Sequence, residues 1–108
     1  MKLDESRFNT LADATLERIA DIVDEVLGDR IDVESQGGIV TLTLNDGGQY
    51  VINKHGPNRE IWMSSPASGA WHFAPADGAW ISTREPRENL TILVARELGA
   101  KYGAALEL

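Results

Sequence analysis

The chain of 108 residues is 43% hydrophobic and carries a formal charge of −7, a length that provides for one small domain, residues 1–108, with one core. Its acids are concentrated: residues 1–34 hold Asp4, Glu5, Asp13, Glu17, Asp21, Asp24, Glu25, Asp29, Asp32 and Glu34 against Lys2, Arg7, Arg18 and Arg30, a field that repels nucleic acid and anionic membranes and draws cations or basic protein surfaces. No cysteine is present, which excludes disulfides, thiolate-held zinc and a protein-ligated iron–sulfur cluster of the usual kind, so any metal must sit on oxygen or imidazole.

The first predicted element is a helix from Arg7 to about Leu27, with Asp4, Ser6 or Asn9 as its cap and Gly28-Asp29 as its stop. At 100° per residue Asp13, Glu17, Asp21 and Asp24 fall within an arc of about 80°. Phe8, Leu11, Ala12, Thr15, Leu16, Ile19, Ile22, Val23 and Val26 occupy the broad arc away from them, the side expected to bury. Asp13/Glu17 and Glu17/Asp21 are like charges at i,i+4, each costing a few tenths of a kcal/mol.

Ile31–Glu34 alternates strictly, the Gly37-Gly38 turn follows, and Ile39–Leu44 alternates again, so the two predict a hairpin. Further strands are expected at Gln49–Lys54, Arg59–Ser64, Ala70–Ala74 and Ala79–Ser82, separated by turn residues. Connections this short join antiparallel neighbours. From about Pro86 to Tyr102 a helical period returns with the stripe Leu90, Leu93, Val94 and Leu98; Pro86 suits a first helical position and Gly103 a C-terminal cap. The order predicts an α+β two-layer sandwich: an antiparallel sheet of five or six strands with the N- and C-terminal helices packed on one face.

In such a sandwich alternate strand residues face the helices and solvent. Val40, Leu42, Leu44, Ile61, Met63, Trp71 and Phe73 are expected inward, which leaves Thr41, Thr43, Glu60, Trp62, Ser64 and His72 outward. Trp62 on an uncovered sheet is a candidate contact residue, unless twist or register tucks it under a loop. His72 shares that face, and His55, beside Gly56 and Pro57, reads as a turn residue. Ser64, Ser65 and Ser68 belong to a Ser/Pro/Gly loop, no nucleophile stands beside a base, and there is no phosphate loop. No catalytic residue is expected.

The acidic stripe continues through Asp29, Asp32 and Glu34. If the first strand lies at the sheet edge beside the helix, Glu17, Asp21, Asp24, Glu25, Asp29 and Asp32 form one ridge. Its oxygens suit hard cations, Fe²⁺ and Fe³⁺ as well as Ca²⁺, Mg²⁺ and Mn²⁺, in shallow, hydrated, weak sites. A face kept acidic for solubility is the other reading of the same residues. The longest apolar runs fall short of a membrane span, and MKLDESRF at the N-terminus has neither signal-peptide nor transit-peptide character, so a cytosolic or already processed protein is expected.

The stretch Ile52-Asn53-Lys54-His55-Gly56-Pro57-Asn58-Arg59-Glu60-Ile61-Trp62-Met63-Ser64-Ser65-Pro66-Ala67-Ser68-Gly69 resembles the signature of the frataxin family: an Asn-Lys pair, a Pro-Asn turn, Ile-Trp, then Ser-Ser-Pro and a glycine. The acidic first helix, the Gly37-Gly38 hairpin, Trp80 and the closing helix match the family in order. The resemblance implies an α+β sandwich that binds Fe²⁺ or Fe³⁺ weakly on Glu17, Asp21, Asp24, Glu25, Asp29, Asp32 and Glu34. It also implies regulation of iron–sulfur cluster assembly through a cysteine desulfurase and scaffold protein, met by Asn53, Glu60, Trp62 and His72. Glu60 stands where an amide is common in mitochondrial members and His72 where they usually carry arginine, so the charge of that face differs. The implied compartment is the cytoplasm for a bacterial chain and the mitochondrial matrix for a processed eukaryotic one, and the implied state a monomer or an iron-dependent oligomer. The alternative is a ferroxidase or iron-storage protein that oxidises Fe²⁺ on the same carboxylates, although no paired Glu-x-x-His helices mark a buried di-iron centre.

Overall fold

The computed structural model describes residues 4–108; Met1–Leu3, part of the stretch read for targeting signals, lie outside it. Helix α1 (Glu5–Leu27) begins where the Asp4 carboxylate accepts the backbone N–H of Arg7 at 2.8 Å and ends at Gly28. It buries Phe8, Ala12, Leu16, Ile19, Ala20, Val23 and Leu27. Leu11 and Val26, expected on the buried side, are exposed. At 100° per residue the buried arc runs from Phe8 to Ala20; Val26 stands at its margin and Leu11 outside it.

Strands β1 (Ile31–Gln36), β2 (Ile39–Leu44), β3 (Gln49–His55), β4 (Glu60–Ser65), β5 (Gly69–Ala76) and β6 (Ala79–Ser82) pair in sequence order, every neighbour antiparallel. Each connection is a short turn, as antiparallel neighbours permit. The β1–β2 turn needs Gly37 and Gly38 at φ +57° and +81°, and a Cβ on Gly38 would also stand 3.1 Å from the Lys54 side chain that crosses it.

Helix α2 runs Leu90–Tyr102, four residues shorter at its start than Pro86 suggests. Asn89 is its cap, accepting the Thr91 N–H at 3.1 Å. The preceding loop wraps the buried Ser82: its hydroxyl donates to the carbonyls of Arg84 and Pro86, and the backbone N–H of Glu88 donates back to that oxygen at 2.8 Å. Those bonds hold the chain out of helical geometry until Asn89. Gly103 closes the helix at φ +64°, its N–H on the Gly99 carbonyl at 2.8 Å.

The predicted α+β sandwich is the observed one, with six strands. The inward residues Val40, Leu42, Leu44, Ile52, Ile61, Met63, Trp71 and Phe73 form one core with the buried stripes of both helices. Trp80 meets Phe8 edge-to-face at 5.9 Å and donates its Nε1–H to Thr15 at 2.9 Å, tying the last strand to α1. Beyond α2, Leu106 reaches the core while Arg18 donates to the carbonyls of Glu107 and Leu108.

Removing core volume under α1 should be costly and removing it from the outer face of α2 should not. Ile19→Ala is expected to lower the unfolding free energy by about 2–5 kcal/mol. Ile92→Ala, at a position 58% exposed, should change it by less than about 0.5 kcal/mol. Urea unfolding curves compare the two.

Candidate functional site

β1 is an edge strand and packs beside α1, the condition for a continuous acidic ridge. Glu17, Asp21, Asp24, Glu25, Asp29, Asp32 and Glu34 are all exposed. Among the described residues the only ion pair any of them makes is Asp29 with Arg30, at 3.8 Å. The register adds a feature that periodicity alone left open: Asp32 and Glu34 pair with Thr43 and Thr41, so they share the uncovered face of the sheet. The carboxylates therefore turn a corner, from the outer side of α1 around the edge strand to the open face. Among the described residues no three carboxylates or imidazoles converge into a ready-made metal cage.

Asp13, which begins the acidic stripe, is set apart from it. Lys54 reaches it across Gly38 and donates at 2.9 Å. Lys54 is an inward position of β3, opposite Ile61, and so faces α1. The ridge left without a lysine partner among the described residues begins one turn later, at Glu17.

The open face carries the second cluster. Antiparallel register places Asn53 opposite Trp62 and Trp62 opposite His72, with Ile39 opposite Asn53 at the near end of the row. Trp62 is half-buried between two imidazoles. His72 stacks on one face of the indole at 4.0 Å between ring centroids and 6° between planes, and His55 on the other at 3.6 Å and 8°. Trp62 donates its Nε1–H to Glu60 Oε1 at 2.8 Å, and His72 Nδ1 lies 4.0 Å from the same oxygen. Asn53, Glu60, Trp62 and His72 are thus together on one surface, and Trp62 is not tucked under a loop. His55 is a correction. It is the last residue of β3 and stands opposite Glu60 on the open face. The alternation Val51, Asn53, His55 carries it there, a signal overridden by the turn residues that follow it.

A third polar cluster lies under α2. Tyr50 donates its hydroxyl to Glu97 at 2.8 Å, and Ser65 donates to the same carboxylate oxygen at 2.7 Å while accepting the N–H groups of Ala67 and Ser68. Ser65 thereby holds the turn it was read as serving. Burial and the neighbouring Glu97 carboxylate push the Tyr50 hydroxyl well above the usual tyrosine pKa. The cluster pins α2 to β3 and β4.

The open-faced α+β sandwich with an acidic edge defines a class of protein, and sequence comparison identifies it. The chain belongs to the frataxin family: a family model described as a frataxin-like domain matches residues 1–104. The iron–sulfur cluster assembly protein CyaY of Neisseria meningitidis is 36% identical over 104 residues, which cover 96% of this chain and 94% of that protein. The corresponding protein of Vibrio cholerae is 44% identical over 67 residues, 62% of this chain and 64% of its own length. Among solved structures, trimeric frataxin from the yeast Saccharomyces cerevisiae, complexed with ferrous, superposes with a TM-score of 0.76 at 36% identity over 87% of each chain.

Tyr50 gives the fold an alkaline limit. Above about pH 10 the unfolded chain releases the tyrosine proton while the folded chain keeps it, so stability falls as pH rises. Lys101, raised by its hydrogen bond to Asp46, adds a loss of the same sign. Urea midpoints between about pH 9 and 11 should therefore fall less steeply for Tyr50→Phe than for the wild type; parallel slopes would sink this assignment.

Proposed function

We propose that this chain is an iron-binding accessory protein of iron–sulfur cluster assembly. In this reading Glu17, Asp21, Asp24, Glu25, Asp29, Asp32 and Glu34 bind Fe²⁺ or Fe³⁺ weakly as cargo, and Asn53, Glu60, Trp62 and His72 meet a cysteine desulfurase–scaffold complex. The observation that carries it is the run of exposed carboxylates turning the edge of β1 in a chain of the frataxin family. The names of the relatives from Neisseria and Vibrio, and the ferrous complex of the yeast protein, support it.

Hard cations prefer oxygen donors, and these carboxylates supply only oxygen. A cation also relieves the repulsion between Glu17 and Asp21 along the helix. Because the groups are solvated and no three converge among the described residues, the ion keeps much of its water and exchanges readily. With no cysteine the chain offers no thiolates to hold a cluster, so it supplies iron or a regulatory surface to a partner that does.

The two faces are tested separately. In an anaerobic Fe²⁺ titration followed by amide NMR, Asp21, Asp24, Asp29 and Asp32 are expected to respond first; a response confined to His55 and His72 would overturn the ridge. In a reconstituted assembly assay Trp62→Ala is expected to lose both affinity for the desulfurase–scaffold complex and influence on the rate of cluster formation. Unchanged affinity and rate would remove the sheet face from the mechanism.

A further inference from the structure

Trp62 is the centre of a three-ring column rather than an isolated aromatic residue. His72 comes from the directly opposed position on β5, and His55 from the diagonal position on β3, one pleat beyond the pair Asn53–Trp62. Both contacts are face-to-face, with interplanar angles of 8° and 6°, and Glu60 takes the indole N–H. His55 Nδ1 is shielded from solvent and has no hydrogen-bond partner among the described residues. A buried ring nitrogen ordinarily turns toward a donor or acceptor; here the ring lies parallel to the indole instead. Stacking, not hydrogen bonding, sets its orientation.

We propose that His55 and His72 are positioning residues for Trp62: they cover both faces of the indole and, with Glu60 on its N–H, hold it as a fixed edge presented to the partner protein. This rests on the sheet-face reading given above and deepens it. A tryptophan free to change rotamer would have to be ordered at the moment of docking, and a ring already clamped avoids that cost. With both π faces occupied and the N–H engaged, the partner meets the free edge of the indole together with the outer side of the His72 ring. Its matching surface is therefore an apolar slot for the indole edge beside a group that lies against the imidazole, not an aromatic or guanidinium plane stacked on the indole itself, which would need an open indole face.

The test combines a measurement on the free protein with one on the complex. Indole ¹H–¹⁵N relaxation resolves Trp62 from Trp71 and Trp80. In His55→Ala and His72→Ala the Trp62 indole is expected to become mobile while the other two stay rigid, and affinity for a reconstituted desulfurase–scaffold complex should fall about threefold to tenfold, the equivalent of one stacking contact. His55→Phe and His72→Phe keep a ring on each face and should restore both readouts. Alanine variants that leave the Trp62 indole rigid, or affinity at the wild-type value while Trp62→Ala abolishes it, would overturn the positioning role and leave the sheet face standing. If Trp62→Ala itself binds normally, the sheet-face reading fails and the positioning role fails with it, whatever the relaxation shows.

Discussion

The seating of α1 on the sheet is the constraint from which the rest follows. Seven residues of that helix are buried, and each large apolar side chain taken out of water contributes roughly 1.5–3 kcal/mol. The like-charge pairs on its other side cost only a few tenths of a kcal/mol each. Packing therefore decides how the helix is rotated, and the carboxylates go where that rotation sends them. It sends them outward beside β1, a strand with a neighbour on one side only. An acidic surface at a sheet edge also guards against a hazard, since unpaired strand edges invite pairing with other chains and charge discourages it.

The sheet's open face is organised by a second constraint, the period of two. Once Ile52, Ile61, Met63, Trp71 and Phe73 are committed to the core, Asn53, Glu60, Trp62 and His72 must stand on the other side. A slip of one residue in the pairing of β4 would bury Trp62 and expose Ile61 and Met63, so the row is protected by the energy of the core beneath it. In the proposed function, partner docking and stability share the same register. The stacking of His55 and His72 on Trp62 is then a consequence of which positions the pairing sets opposite or diagonal to one another.

Much of this was legible from local pattern. The alternation in Ile39–Leu44 and around Trp62, the apolar stripe of Leu90, Leu93, Val94 and Leu98, and the motif from Asn53 to Gly69 carry their meaning within a few residues. What escaped was set by long-range geometry or by competing local signals. The Lys54–Asp13 pair joins residues 41 apart in sequence and depends on how α1 lies across β3. The start of α2 depends on the bonds to Ser82, which no helical period announces. Leu11 and Val26 lie on the apolar side of the helix but at or outside the margin of the arc that is buried. His55 was hidden by Gly56-Pro57, residues that mark a turn so strongly that the last outward position of the strand before them reads as part of it.

The corner formed by Asp32 and Glu34 bears on how the two faces relate. These carboxylates lie on the same side of the sheet as Trp62, three strands away, a separation of about 15 Å at the usual strand spacing. That is nearly two Debye lengths at physiological salt, so charge at the corner is largely screened from Trp62 and a bound cation exerts little direct pull on the indole. A standard protein interface of about 800 Å² per partner is nonetheless some 30 Å across. One partner centred between the corner and the aromatic column would cover both. In the proposed function a single partner footprint therefore spans the carboxylate corner and the aromatic column, while charge at the one is largely screened from the other.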